Sequence, residues 1–154
     1  MSKLLLALVL VASAEVLADD GSDSREPVSC SMRVSVTNGN GQLREVRRVS
    51  ASSVASVVIH GRVSPQERDT PALLFDVYNP HGRRYQVLLA TPRVVVSERD
   101  GHRVKKVSKT REATLAVAGS SIALTSMYGK WRVEPRLEGT DKACGQPEYF
   151  TIRP

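Results

Sequence analysis

Short stretches in which apolar and polar residues alternate recur along the chain between residues 32 and 152. A period of two is typical of strands that lay one side on a core and turn the other to water. In residues 53–63, for example, the alternation places Ile59 on the inner side and His60 on the outer side. The pattern predicts about eight strands and no amphipathic helix.

Turn residues separate these stretches. The segments 38–41 and 100–101 contain the Asn-Gly and Asp-Gly pairs that tolerate the backbone of tight hairpins. Pro80 fixes φ in the turn 79–82, and Gly82 permits a left-handed residue after it. Separate strands are predicted at 104–108 and 114–117, and residues 120–126 form either one helical turn or a crossing loop. The predicted fold is one all-β domain, a sandwich or Greek key of antiparallel strands.

The single tryptophan lies in the clearest alternation, residues 129–137. The apolar residues of this stretch share one side of the strand, and four charged residues share the other. We therefore predict that Trp131 belongs to the core, and the alternative is an aromatic platform for a ligand on a basic surface. The predicted core residues are Phe75, Val77, Tyr85, Val87, Trp131, Val133 and Leu137.

Two features of the second half resemble immunoglobulin-like and fibronectin-III-like sandwiches of secreted proteins. One is Gly-x-Trp-x-Val at 129–133, which follows a short segment with Ile122 and Leu124. The other is the hairpin VYNPHGRRY at 77–85. The resemblance extends over residues 72–153. It implies a single immunoglobulin-like antiparallel β-sandwich and a role in binding or assembly, and it implies no catalytic activity.

Residues 1–18 have the organisation of a cleavable secretory signal peptide. Lys3 precedes an apolar run from Leu4 to Ala12, and small residues suited to cleavage follow, with Ala18 as the predicted site. The run is shorter than the roughly 20 residues that cross a bilayer. A retained N-terminal anchor is the alternative. Residues 19–29 are predicted as an acidic flexible leader and residues 30–154 as the domain. The predicted signal peptide implies export to the bacterial periplasm or the extracellular space.

Two cysteines, Cys30 and Cys144, are present in the predicted domain. In an exported protein such a pair predicts one disulfide, which would join the start of the domain to the loop before its last strand. The alternative is a pair of free thiols that bind a metal. A structural zinc site would need two histidines at ligand spacing, and the sequence has no such pair.

Positive charge is concentrated in a predicted hairpin, RDGHRVKKVSKTR, at residues 99–111. Six basic residues stand against Asp100 alone, a net charge of +5. Such a cluster predicts binding of an anionic surface polymer or an acidic protein. Nucleic acid is disfavoured because the hairpin has no aromatic residue to stack on bases and because export is predicted. The candidate binding residues are Arg99, Arg103, Lys105, Lys106, Lys109 and Arg111.

Two other interpretations of this hairpin remain. In the first, the charges of the hairpin prevent its edge strand from pairing with the sheet edges of other molecules, and such protection is common in proteins. The acidic leader, in which residues 19–26 carry a net charge of −3, would alternatively screen the hairpin within the same molecule.

Catalytic chemistry has little support in the sequence, which lacks G-x-S-x-G, H-E-x-x-H and phosphate-binding glycine motifs. The three histidines each adjoin a glycine and are predicted to be exposed. As a set they are the candidates for a copper site, with Met32 or Met127 as a further ligand. These histidines are His60, His81 and His102. A hydrolase with two carboxylates would use Asp76 with Glu67 or Asp69.

The sequence therefore predicts an exported, non-catalytic binding or accessory module of the cell envelope or extracellular space. Its partner is predicted to be a protein or an anionic surface polymer, without nucleic acid and without a cofactor. A small periplasmic copper protein and a hydrolase are the alternatives.

Overall fold

A computed structural model describes residues 27–38, 40, 43–44, 47–65, 70–99 and 102–154. The predicted signal peptide, residues 1–18, lies outside the described residues, as do residues 19–26 of the predicted leader. The same holds for Glu67, Asp69, the turn 100–101 and the side chain of Arg99. Within the described ranges, no helix is long and apolar enough to cross a membrane.

Ten strands and one four-residue helix make up the described chain. The strands are β1 (Ser29–Asn38), β2 (Leu43–Arg44), β3 (Arg48–Ser50), β4 (Val54–Ser64), β5 (Leu73–Tyr78), β6 (Arg84–Leu89), β7 (Thr91–Arg99), β8 (His102–Ala116), β9 (Gly129–Leu137) and β10 (Glu148–Arg153). The helix α1 (Ser121–Leu124) lies between β8 and β9. Its N-cap is Ser120, whose side-chain oxygen accepts a hydrogen bond from the backbone N–H of Ile122.

The strands form two five-stranded sheets, β2-β1-β4-β8-β7 and β3-β10-β9-β5-β6. Immunoglobulin sandwiches place strands A, B, E and D in one sheet and C, F and G in the other. With β1, β4, β5, β7, β8, β9 and β10 taken as A to G, both sheet orders agree with that arrangement. The short β3 adds to the second sheet by pairing in parallel with β10. The prediction of an all-β immunoglobulin-like sandwich is confirmed.

The core lies between the sheets and centres on Trp131. This side chain is fully buried, and burial alternates along the whole of β9. The indole lies 6.1 Å from the ring of Phe150 in a stacked arrangement and 5.2 Å from the ring of Tyr85 in an edge contact. Its Nε1–H donates to the carbonyl oxygen of Met127 at 3.2 Å, so the polar atom of the buried ring has a partner. The buried residues Phe75, Val77, Val133 and Leu137 belong to the same cluster.

The prediction for Val87 was wrong, because a β-bulge changes which side of β6 faces the core. Val77 pairs with Gln86 and Tyr78 pairs with Arg84, so Tyr85 is an extra residue in β6. An extra residue shifts every later side chain to the opposite side of the strand. Val87 therefore lies opposite Asp76 on the outer side and is 41% exposed, while Leu88 is buried. Tyr85 itself packs against the core cluster.

The two strands predicted at 104–108 and 114–117 are parts of one long strand, β8. The polar residues between them interrupt the apolar alternation without ending the strand. Backbone pairing with β4 and β7 continues through Arg111 and Glu112, whose side chains do not need to be apolar. This continuity allows β8 to extend beyond the sandwich.

A disulfide joins Cys30 in β1 to Cys144 in the loop before β10, as the sequence predicted. The two Cα atoms lie 5.1 Å apart, and the backbone N–H of Cys30 donates to the carbonyl oxygen of Cys144 at 2.7 Å. The close approach of the two segments requires a glycine next to the bridge. A Cβ atom placed on Gly145 would clash with the carbonyl oxygen of Cys30.

Candidate functional site

The long strand β8 and its neighbour β7 form a two-stranded ribbon at one end of the sandwich. β4 pairs with β8 only from Arg111 to Ala116, whereas β7 pairs with β8 down to His102. In the described part of the chain, residues 102–107 of β8 thus pair with β7 alone. We call β7 together with residues 102–109 of β8 the basic arm.

Most of the positive charge of the basic arm lies on β8. Arg103, Lys105, Lys106 and Lys109 are all exposed. Lys105 and Lys106 are consecutive residues of a strand and therefore point to opposite sides of the ribbon. Charge on both sides is suited to an extended anionic partner, whereas a single small ion would need its ligands to converge on one point.

Two of the predicted binding residues do not belong to this set. Arg111 lies where the arm joins the sandwich, and its Nη1 donates to the carbonyl oxygen of Pro71 at 3.4 Å. The side chain of Arg99 lies outside the described residues, although its backbone pairs with His102. The described cationic surface is therefore formed by the remaining four residues.

Exposed valines on the basic arm were missed by the sequence interpretation, which considered only the charges. All five valines of the arm are at least 44% exposed, and Val107 is 64% exposed. They are Val94, Val95, Val96, Val104 and Val107. The signal was present in the sequence as three consecutive valines in β7. Whether these valines are buried or exposed depends on β7 being the last strand of its sheet, and the sequence alone does not show which strand is last.

A chain of hydrogen bonds holds the base of the arm to the first sheet. Arg93 Nη1 lies 3.4 Å from Glu112 Oε1, and the same oxygen lies 2.9 Å from His60 Nδ1. His60 Nε2 lies 2.6 Å from the Ser35 hydroxyl. A carboxylate only accepts, so with a neutral imidazole Nδ1–H donates to Glu112 and Nε2 accepts from Ser35. These four side chains connect β1, β4, β8 and β7 in one row.

The prediction that His60 is exposed was wrong. Its side chain does lie on the outer side of β4, as the alternation indicates, but it is only 4% exposed. Ser35 and Glu112 on the two adjacent strands cover it and satisfy both ring nitrogens. Exposure on the outer side of a sheet depends on the neighbouring strands, and an alternation pattern does not contain that information.

Ser35, His60 and Glu112 have the bonding order of a serine hydrolase triad. Hydrolysis also requires a serine that a substrate can reach. Ser35 is only 3% exposed. The cavity beside His60, of about 290 Å³, does not include Ser35 in its lining, which is formed by Ser31, Met32, Arg33, His60, Gly61, Arg62 and Thr110. The geometry favours a structural role for these bonds and does not favour the hydrolase alternative.

The three histidines lie in separate parts of the fold. His60 is in the middle of β4, and His81 lies in the turn between β5 and β6 of the other sheet. His102 begins β8, ten residues before Glu112, which is the residue opposite His60. Ten residues of strand span about 33 Å. The described residues contain no group of three or more histidine, cysteine or acidic side chains placed to hold a metal ion. The copper alternative is therefore not favoured.

Asp76, the predicted partner of Glu67 or Asp69, forms ion pairs with two arginines among the described residues. Arg136 Nε donates to Asp76 Oδ2 at 2.7 Å, and Arg84 Nη1 lies 3.7 Å from Asp76 Oδ1. The hydrogen bond to Asp76 raises the pKa of Arg136 above its usual value. Burial raises the pKa of Tyr78 on the same outer side, and the nearby Glu134 and Asp76 carboxylates act in the same direction. These contacts connect β5 with β9 and β6 on the outer side of the second sheet.

No protein-family model matches the chain, and no curated protein matches it. Among solved structures, the chain is similar to an immunoglobulin-like protein, PA1606, from Pseudomonas aeruginosa. The alignment has a TM-score of 0.46 and 16% sequence identity, and it covers 84% of this chain and 99% of that one. The assignment of the fold rests on the strand order given above.

We expect His60→Ala to lower the free energy of unfolding by about 1 to 3 kcal/mol, because it leaves the buried Ser35 hydroxyl without its partner. Urea denaturation followed by circular dichroism measures the change. His81→Ala and His102→Ala are matched controls, since both side chains are exposed, and each should change stability by less than about 0.5 kcal/mol. Equal effects of the three substitutions would contradict a structural role for His60.

Proposed function

We propose that this immunoglobulin-like domain is an exported, non-catalytic binding module whose basic arm holds an anionic partner. One observation carries the proposal: the arm extends past its neighbouring strand and presents cations on both of its sides. Because the arm is surrounded by water, it would contribute little to the stability of the sandwich, and its charges are available to a partner.

The placement of the charges argues against edge protection as their purpose. A sheet edge is protected by charged residues on the edge strand itself. Here the edge strand is β7, which has Pro92, Arg93 and Glu98 toward its ends, but its central residues 94–96 are valines. The lysines lie on β8, which is already paired with β7. Charges placed one strand inward attract a partner and leave the edge open.

A disulfide between Cys30 and Cys144 supports export, since such bonds persist in oxidising compartments. The predicted signal peptide supports it too. The anionic partner would then be a component of the envelope or the extracellular space, either an acidic protein or an acidic surface polymer.

The charge of the arm predicts salt-sensitive retention on an anionic matrix such as heparin. Reversal of Lys105, Lys106 and Lys109 to glutamate should weaken binding by about tenfold or more, because attractive contacts become repulsive ones. The salt concentration that elutes the protein, and the dissociation constant at low salt, measure the effect.

A matched control reverses three exposed arginines elsewhere, Arg44, Arg47 and Arg48, which changes the net charge by the same amount. If both triple variants lose retention equally, binding depends on net charge and the arm has no special role. Circular dichroism before the binding measurement confirms that each variant is folded.

A further inference from the structure

The edge of β7 is open in the described structure. β7 is the terminal strand of its sheet and pairs with β8 on one side. Every described side chain from Thr91 to Glu98 is exposed. An edge strand presents a row of backbone N–H and C=O groups that another strand can pair with. Pro92 lacks an N–H, but the seven residues from 93 to 99 are long enough to accept a strand.

The basic arm is also incomplete as a piece of sheet. A ribbon of two strands is marginally stable in water, and a third strand or a covering surface stabilises it. The arm has neither, since β7 is the only described strand that pairs with residues 102–109 of β8. Val94 and Val107, which face each other across the ribbon, are both more than half exposed. A third strand beside β7 would cover part of this apolar surface.

The charge of the arm determines which kind of strand would bind beside β7. Adjacent strands lie about 4.8 Å apart, so a strand added to β7 would run about 10 Å from β8. Lys105 and Lys106, which pair with Val96 and Val95 of β7, belong to the strand at that distance, and about 10 Å is also the screening length at moderate salt. Acidic side chains on the added strand would be attracted and basic ones repelled. A second copy of this chain would bring two basic arms together, which the same charges oppose.

We propose that β7 binds an extended acidic segment of a partner protein, which adds to the first sheet as a sixth strand. Apolar residues at alternate positions of the segment would lie beside Val94 and Val96, and the acidic residues between them would lie on the side of Val95 and Lys106. This inference rests on the proposed anion-binding role of the basic arm and names both the class of partner and the way it binds.

The test uses the full mature protein and two synthetic peptides of equal charge. One alternates glutamate and valine over eight residues, and the other has the same sequence with two valines replaced by proline, which cannot pair as a strand. Titration measures the two affinities, and amide hydrogen exchange measures protection in β7. We expect the alternating peptide to bind at least about tenfold more tightly and to slow exchange of amides within residues 94–98.

The amides of β6, the edge strand of the other sheet, provide an internal control and should not change. Val94→Thr keeps a β-branched residue on the side that faces the apolar residues of the segment and should bind the alternating peptide more weakly. Both peptides are titrated into the unaltered protein, so their comparison gives a result even if a variant of β7 fails to fold.

Equal binding of both peptides, without protection of β7, would overturn strand addition while leaving the anion-binding role intact. Failure of both peptides together with failure to bind heparin would overturn the anion-binding role itself. A concentration-dependent dimer that protects the same β7 amides without peptide would overturn the acidic segment in favour of a second copy.

Discussion

Replacement of Trp131 by alanine will lower the free energy of unfolding by about 3 to 5 kcal/mol. The indole is fully buried at the centre of the core and contacts the rings of Phe150 and Tyr85. The substitution removes these contacts and leaves a cavity that the two sheets cannot fill without moving. Denaturant unfolding followed by circular dichroism is the appropriate measurement, since the variant loses the only tryptophan fluorophore.

Leu124→Ala is the matched control for this substitution, because Leu124 is 78% exposed on α1. Its effect on stability should stay within about 0.5 kcal/mol. A Trp131→Ala protein that keeps its stability but loses binding to a ligand would contradict the core role and favour the aromatic platform.

Loss of the disulfide is expected to have a comparable effect, about 4 to 5 kcal/mol. Cys30 and Cys144 are 114 residues apart, and a crosslink that closes so long a loop strongly restricts the unfolded chain. Domains of this size are typically stable by about 5 to 15 kcal/mol, so the loss is a large fraction of the total. The measurement compares the urea midpoint of the Cys30→Ala, Cys144→Ala double variant with that of the oxidised protein.

Reductant provides the control for the disulfide. It should lower the midpoint of the natural protein toward that of the double variant and leave the double variant unchanged. If the double variant and the oxidised protein unfold at the same urea concentration, the crosslink does not stabilise the domain.

Both of these effects concern parts of the fold that the sequence predicted. Trp131 and its charged neighbours divide cleanly between the two sides of β9, because a strand that borders the core has strict alternation. The pairing of Cys30 with Cys144 followed from there being two cysteines and a predicted export signal. Each inference needed only local pattern or composition.

The errors arose where one strand depends on another. The alternation in β6 predicts Val87 in the core. The bulge that moves Val87 to the outer side arises only from the pairing of β6 with β5, so the sequence of β6 alone does not reveal it. His60 was placed in water because it lies on the outer side of β4, whereas Ser35 and Glu112 on adjacent strands bury it.

The candidate site divides in the same way. The basic residues of the arm could be predicted because they are close together in the sequence, and such a cluster is recognised without knowledge of the fold. The open edge of β7 could not be predicted, because the order of strands in the sheet decides which strand lies at an edge.

By itself, the sequence determined the all-β class, the inward side of β9 and the partner of each cysteine, since these follow from residue order and from the chemistry of single side chains. Only the tertiary structure decided which strands end the sheets, how far β8 extends past β4 and which polar side chains are covered. Those properties depend on the relative lengths and the register of strands far apart in the chain, and backbone hydrogen bonds between them carry no mark in the sequence.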